Sequence, residues 1–278
     1  TLHATWRLGT ALIGTGFSGL VPLLLLATNA SMLRFATGGL ETSLQTALVA
    51  QAVLQLVRLR AAVARRTANP GTEAGSKELW RPAAALGTLL AASLLTRPDS
   101  VLAAAVLGGS AFLALVPQGA LGTPLFLEAR RARFGLLFPS LFLVLPWLGW
   151  KLAYYGSLLP NTFAAKVAWS GPSAAAGALY VWRFMHASLL WPFLAVIAID
   201  AVARGFASRR PAPPAAAPTA GDAALPPGVA QAVWRTIAVL LGLWCLYLVA
   251  IGGDFMEFRL CVPLVPFLLL MLASRLHA

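Results

Sequence analysis

Charged and sulfur-containing side chains are scarce in this 278-residue chain. Charged residues make up 11% of it, with 9 acidic side chains against 21 lysines and arginines. A soluble domain carries about 25% charged residues, so this composition excludes a soluble globular protein. The 2 cysteines, Cys245 and Cys261, have neither the number nor the spacing of a disulfide framework or a metal site. We expect both to pack as small apolar residues.

Long apolar runs take the place of charge. Hydrophobic residues account for 59% of the chain, and its mean hydropathy is +0.78. A membrane helix needs about 20 mainly apolar residues, and about eight runs approach that length. The sequence therefore predicts an all-α fold, a polytopic transmembrane helical bundle of about eight segments. The runs are Leu8–Asn29, Glu41–Val57, Pro82–Thr96, Val101–Val116, Phe134–Trp150, Phe184–Ala203, Ala232–Ile251 and Leu260–Ser274.

Lysine and arginine cluster in alternate connections between these runs. Short loops rich in these residues stay on the cytoplasmic side, so the other connections are predicted to face outward. Short basic clusters between apolar runs are typical of membrane loops and exclude a nucleic-acid partner, despite a net charge of +12. The basic positions are Arg58, Arg60, Arg65, Arg66, Lys77 and Arg81 in the second loop, Arg130, Arg131 and Arg133 in the fourth, and Arg204, Arg209, Arg210 and Arg235 around the sixth.

A stretch rich in proline and alanine, residues 205–230, interrupts the apolar pattern. Such a composition cannot bury enough apolar surface to fold alone. We predict that it is a cytoplasmic linker between a transmembrane bundle, residues 1–204, and a C-terminal transmembrane hairpin, residues 231–278. The chain starts at Thr1, and we expect a further portion upstream of it.

Two short polar motifs fall on the predicted outward side. Paired glycines precede Glu41 at the start of a run, where the helix N-terminus stabilises a carboxylate. Arg97, Pro98 and Asp99 form a turn that leaves almost no loop between two runs. Glu41 is either a helix-end charge or a substrate contact. Arg97 either forms a structural ion pair with Asp99 or faces an anionic headgroup.

Two further motifs lie on the same side. Asn161 can cap a helix on which Lys166 follows about one and a half turns later, and Lys166 either snorkels to the interface or meets the substrate. The loop after Gly252 and Gly253 holds Asp254, Glu257 and Arg259 between the last two runs. That loop is too short for a solvated charge run. Its charges either close the hairpin as a structural pair or bind a ligand.

Together these motifs resemble the multi-spanning GT-C glycosyltransferases that use polyprenyl-phosphate sugars. The chain is most similar to the actinobacterial arabinofuranosyltransferases that terminate cell-wall arabinan. No single motif is diagnostic, but their order and placement span most of the chain. The resemblance is carried by Gly39–Glu41, Arg97–Asp99, Tyr155–Thr162 with Lys166 behind it, and Gly252–Met256 with Arg259.

The resemblance implies an integral membrane enzyme of the inverting type. It would move a sugar, arabinofuranose or a hexose, from a polyprenyl-phosphate donor to a cell-envelope glycan or other acceptor on the outer face of the plasma membrane. Asp254 would support catalysis, either by orienting hydroxyls or by holding Arg259. The predicted donor-phosphate contacts are Arg97, Lys166 and Arg259, and the predicted substrate contacts are Glu41, Asp99, Asn161 and Glu257.

The chain departs from that family at its N-terminal end. The family places an acidic pair in its first external loop, one acid of which is the presumed catalytic base, whereas here no acid precedes Glu41. We therefore expect the main base upstream of Thr1. The motifs imply no metal ligands and no cofactor beyond the lipid-linked donor, and they leave metal dependence open. The alternatives are a lipid or solute transporter or flippase, or a non-catalytic accessory subunit in the bilayer.

Overall fold

The computed structural model is helical throughout the part of the chain that it describes. That part comprises residues 1–14, 17–38, 41–69, 77–116, 123–157, 171–188, 225–226, 228–254 and 256–277, with single positions 190, 191, 195 and 199. Helix accounts for 88% of it, and no strand occurs there. The prediction of an all-α fold is confirmed.

Ten helices can be followed along the described chain. The sixth begins as a tight turn and passes through a π-helical segment, Ala104–Gly108, and the seventh contains a π-helical segment, Ser140–Val144. A tight helical turn, Arg259–Leu264, precedes the last helix. The helices are α1 Leu2–Leu12, α2 Phe17–Ala27, α3 Ala30–Thr37, α4 Thr42–Ala68, α5 Lys77–Thr96, α6 Pro98–Ala114, α7 Pro124–Tyr155, α8 Gly171–Ala187, α9 Val229–Ala250 and α10 Val265–His277.

Local sequence explains several of the helix ends. The Asn29 side chain accepts a hydrogen bond from the Met32 amide at 3.0 Å and so caps α3. Thr123 caps α7 in the same way, immediately before a proline at the first helical position. Helix α7 ends at Gly156, whose φ of 66° is readily adopted only by glycine.

Four of the helices are long and apolar enough to cross a membrane. They are α4, α5, α7 and α9, and α2 with α3 would add a fifth span bent by 57°. Helix α6 is apolar but shorter than these. The protein is therefore an α-helical, multi-pass membrane protein, and about eight segments is a finer count than these helices establish.

The basic parts of two predicted loops are in fact helix. Arg58, Arg60, Arg65 and Arg66 lie in the second half of α4, and Arg130, Arg131 and Arg133 lie in α7. Lysine and arginine are good helix formers, and those near the C-terminus of α4 also interact favourably with its dipole. The prediction was wrong because charge marks where a helix leaves the hydrocarbon, which is not where the helix ends.

The first predicted run, Leu8–Asn29, is also not a single helix. It contains the end of α1 and all of α2, with Gly14 between them at a φ of 126°. The two helices pack closely, since a Cβ added to Gly9 would lie 3.1 Å from the Gly19 carbonyl oxygen. A backbone turn that only glycine adopts readily therefore divides an apolar run that composition alone reads as continuous.

Helix α4 lies at the centre of the bundle and packs against α1, α5 and α9. Its apolar stretch is 56% buried, whereas that of α7 is 11% buried, so most of the surface of α7 lies on the outside of the bundle. Helices α5 and α7 pack closely because Gly87 meets the backbone at Leu136. A buried ion pair joins the far end of α4 to α7, with Arg66 Nη2 lying 2.8 Å from Glu128 Oε1.

The proposed division of the chain at 205–230 remains a prediction. Residues 205–224 lie outside the described part of the chain. Helix α9 begins at Val229, close to the predicted start of the C-terminal hairpin, and continues into the loop and turn before α10. The predicted run Phe184–Ala203 starts within α8, and its later portion is described only at scattered positions.

Candidate functional site

Arg97 lies between two carboxylates at one end of the bundle. It follows α5 in an extended conformation, which the next residue, Pro98, favours. Its Nη1 lies 2.7 Å from Glu41 Oε1, at the start of α4, and its Nη2 lies 2.8 Å from Asp99 Oδ2. Its Nε also donates to Asp99, at 3.1 Å from Oδ1. The structure thus brings together three predicted site residues from two separate motifs.

Gln45 completes this cluster and was not predicted. Its Nε2 donates to Asp99 Oδ1 at 2.7 Å and to Ser100 Oγ at 2.8 Å. The side chain is fully buried, one helical turn after Glu41 on α4. That spacing places both residues on the same face of the helix, which is the pattern that would have identified Gln45. A buried amide at this position fixes Asp99, which in turn fixes Arg97.

The members of the cluster differ in their access to solvent. Arg97 and Asp99 are buried, whereas the Glu41 side chain is 40% exposed. Burial by itself lowers the pKa of Arg97, but the hydrogen bond to Asp99 and the charges of Asp99 and Glu41 outweigh it, so this pKa is raised. The guanidinium therefore stays charged, and Glu41 is the carboxylate of this cluster that solvent reaches.

The bonding of Arg97 leaves capacity for another ligand. Its Nε and one N–H on each terminal nitrogen meet the two carboxylates. Within the described residues, the second N–H on each terminal nitrogen has no acceptor, and the planar fork can present these groups to an anion. Arg97 is thus neutralised in place but not saturated with hydrogen bonds.

A second ion pair lies in the loop between α9 and the last turn and helix. Arg259 Nη2 lies 2.8 Å from Asp254 Oδ2, and the Asp254 side chain is 1% exposed. The chain reaches this pair through Gly252 and Gly253, which have φ angles of 79° and 81°. A Cβ added to Gly253 would lie 2.6 Å from Tyr180 Cγ on α8, so this turn needs both the backbone freedom and the small size of glycine.

Glu257 takes part in a more exposed contact. It has a φ of 46°, a left-handed conformation that non-glycine residues rarely adopt. Its carboxylate forms an ion pair with Arg34 at the end of α3, and both side chains are exposed. This contact joins the loop to the N-terminal helices but lies outside the buried cluster.

Tyr247 lies near both buried pairs. It lies in the last turn of α9 and interacts electrostatically with Arg97, Asp99 and Asp254. The Glu41, Arg97 and Asp99 cluster and the Asp254 and Arg259 pair therefore lie at the same end of the bundle. The sequence predicted that these residues lie together, because basic and non-basic connections alternate along the chain. No motif in the sequence identified Tyr247.

Two predicted site residues, Asn161 and Lys166, lie outside the described part of the chain. Among the residues whose positions are described, no group of histidine, cysteine, aspartate and glutamate side chains could hold a metal ion. Cys245 and Cys261 are free thiols, the second of them buried. We call the described set the outer cluster, after the side on which the loop pattern predicts it to lie, and its members are Glu41, Gln45, Arg97, Asp99, Ser100, Tyr247, Asp254 and Arg259.

Comparisons with known proteins provide no relative from which the role of this site could be inferred. The chain matches no protein-family model, no curated protein and no solved structure.

Proposed function

We propose that this protein is an integral membrane glycosyltransferase of the GT-C kind that uses a polyprenyl-phosphate sugar. One observation carries the proposal: an accessible carboxylate, Glu41, is hydrogen-bonded to a buried arginine that still has donors to offer. The Asp254 and Arg259 pair lies at the same end of the bundle. Carboxylates and arginines that lie at the same end of the bundle suit a reaction that binds a phosphate and orients hydroxyl groups.

The chemistry requires two kinds of group. The bond between the sugar's anomeric carbon and the phosphate oxygen breaks, and its electron pair leaves with the polyprenyl phosphate. The acceptor hydroxyl forms the new bond to that carbon and gives its proton to a carboxylate. In this proposal the free N–H groups of Arg97 stabilise the departing phosphate, because charge-assisted hydrogen bonds strengthen as negative charge develops.

The remaining residues divide according to their burial. Glu41, being exposed, is suited to accept a hydrogen bond from a sugar hydroxyl. Asp254 is buried and bonded to Arg259, so of its two roles considered above we propose the positioning role. Arg259 would then present its remaining donors to the phosphate. Neither Glu41 nor Asp254 is proposed as the main base.

The membrane arrangement belongs to the same proposal. We propose that α6, α10 and the segment around 184–203 complete about eight membrane segments, and that the outer cluster faces away from the cytoplasm. The basic ends of α4, α5 and α7 support this orientation, since lysine and arginine favour the cytoplasmic side. An outward site suits a lipid-linked donor that is presented on the external leaflet.

Transfer by the full-length protein in proteoliposomes tests the proposal. The vesicles would contain a radiolabelled polyprenyl-phosphate arabinofuranose, with a synthetic arabinofuranoside as acceptor and a polyprenyl-phosphate hexose assayed in parallel. We expect label to reach the acceptor with the wild type and to be reduced about tenfold or more in Glu41→Gln, since a hydrogen bond to a charged group is worth about 1.5 to 3 kcal/mol. Release of neither sugar, or full activity of the variant, would refute the role of this cluster.

A further inference from the structure

The opposite end of the bundle carries a charged cleft that the proposed transfer does not use. It has a volume of about 680 Å³ and lies between the last turns of α4 and the first turns of α5. Cationic side chains dominate its rim, namely Arg58, Arg65, Lys77 and Arg81, all of them exposed. Such a concentration of one charge makes the cleft a candidate site for an anion.

The acid in this cleft neutralises one of these cations. Glu78 Oε1 accepts hydrogen bonds from Arg65 Nε and Nη2, each at 3.2 Å. Within the described residues, Arg58, Lys77 and Arg81 form no ion pair. The cleft therefore has a surplus of positive charge that no described carboxylate compensates.

A neighbouring cleft extends the same surface. It has a volume of about 390 Å³, shares Lys77 and Arg81 with the first, and adds Trp80 and Arg131. The Trp80 indole packs against α7, because a Cβ added to Gly135 would lie 3.0 Å from its Nε1. A half-exposed tryptophan beside cations is typical of the headgroup level of a membrane protein.

Helix geometry places this rim at the membrane surface. Helix α4 has 27 residues, so at about 1.5 Å per residue it is about 40 Å long, whereas the hydrocarbon core is about 30 Å thick. Arg58 and Arg65 come about 24 Å and 35 Å after Thr42. Arg65 thus reaches the headgroup region opposite the outer cluster. On the α5 side, Pro82 and Ala85 continue the wall toward the hydrocarbon as small apolar side chains, whereas Arg58 and Gln55 lie at a similar depth on α4.

We propose that this cleft binds the phosphate-bearing headgroup of an anionic phospholipid, with the acyl chains running along the small apolar wall toward the hydrocarbon. Anionic lipids are enriched in the cytoplasmic leaflet, and basic pockets between membrane helices recognise their phosphates. A preference for basic loops on that side explains why cations are present. That preference does not require the cations to converge on one cleft with an apolar wall. The inference is independent of the proposed transfer, since the two sites lie at opposite ends.

Lipid titration of the purified full-length protein tests this site. Cardiolipin, phosphatidylcholine or inorganic phosphate would be added to detergent-solubilised protein, and bound lipid would be counted by native mass spectrometry. Arg81→Gln removes a cation that both clefts share. Arg130→Gln is the matched control, because Arg130 is an exposed cation near the same end of α7 that lines neither cleft. Glu78→Gln removes the acid.

We expect wild-type protein to retain cardiolipin in preference to phosphatidylcholine. Arg81→Gln should weaken that binding about fivefold, Arg130→Gln should leave it unchanged, and Glu78→Gln should retain or strengthen it. Equal binding of both lipids would overturn the proposal, as would equal losses in the two arginine variants. Displacement of cardiolipin by millimolar phosphate would assign the cleft to a soluble anion and would also overturn it.

Discussion

At the scale of single residues, the outer cluster depends on how Asp99 holds Arg97. Asp99 receives hydrogen bonds from Arg97 and from Gln45, and all three side chains are buried. Removing one partner of a buried ion pair costs about 3 to 5 kcal/mol when the remaining charge is left uncompensated, and the lower end applies here because Arg97 keeps its ion pair with Glu41. We therefore expect Asp99→Asn to lower the free energy of unfolding by about 3 kcal/mol, as measured by thermal unfolding in detergent.

Glu257→Gln is the matched control for this stability change. It removes an acid at the same end of the molecule, but its ion pair with Arg34 is exposed and contributes about 0.5 kcal/mol at most. If both variants lose the same stability, burial does not determine the strength of these pairs. The claim that the buried contact between Asp99 and Arg97 stabilises the cluster would then be wrong.

The fork of Arg97 allows a second test at this scale. Arg97→Lys keeps the positive charge but loses the planar group that meets two acceptors at once. In the transfer assay we expect kcat to fall and KM for the lipid donor to rise roughly tenfold, while KM for the acceptor stays constant. Arg34→Lys, an exposed cation at the same end, serves as the control. Equal changes in the two KM values would contradict a phosphate contact.

The sequence identifies most of the outer cluster but not its connections. Glu41, Arg97, Asp99, Asp254 and Arg259 are recognisable because charged residues stand out in short connections between apolar runs. Their pairing across motifs depends on how the helices pack, which no local pattern encodes. Gln45 and Tyr247 lie inside apolar runs, where a polar side chain looks incidental until its partner in another helix is known.

At the scale of helices, close packing depends on small residues. Gly87 on α5 meets the Leu136 carbonyl of α7, and an added Cβ would overlap that backbone. We expect Gly87→Ala to lower the free energy of unfolding by about 1 to 3 kcal/mol, since overpacking forces the helices apart. Gly149→Ala is the control, because nothing lies within 4 Å of its added Cβ. Alanine there should be neutral or stabilising by up to about 1 kcal/mol.

Helix boundaries were the least predictable part of the fold. Composition correctly indicated helices, but it placed the end of the second run at Val57, whereas α4 continues to Ala68. The continuation is set by backbone hydrogen bonding, which does not require apolar side chains. The division between α1 and α2 depends on Gly14, and a single glycine in an apolar run does not reveal whether the chain turns back there.

At the scale of the whole molecule, charge divides the bundle into two ends. The outer cluster lies at one end, and the cationic cleft with the buried Arg66 and Glu128 pair lies at the other. The loop pattern of lysine and arginine separates the same two groups of residues even where it misplaced the helix ends. Because successive helices reverse direction, misplacing an end by several residues does not change the side on which a connection lies.

The direct test of the account is the accessibility of the two ends in intact cells. Single cysteines would be introduced as Met256→Cys beside the outer cluster and Ala68→Cys at the opposite end, in a background with Cys245→Ala and Cys261→Ala. A membrane-impermeant maleimide is expected to label the first variant in intact cells and the second only after permeabilisation. The reverse pattern, or labelling of both from one side, would contradict a glycosyl-transfer site on the outer face.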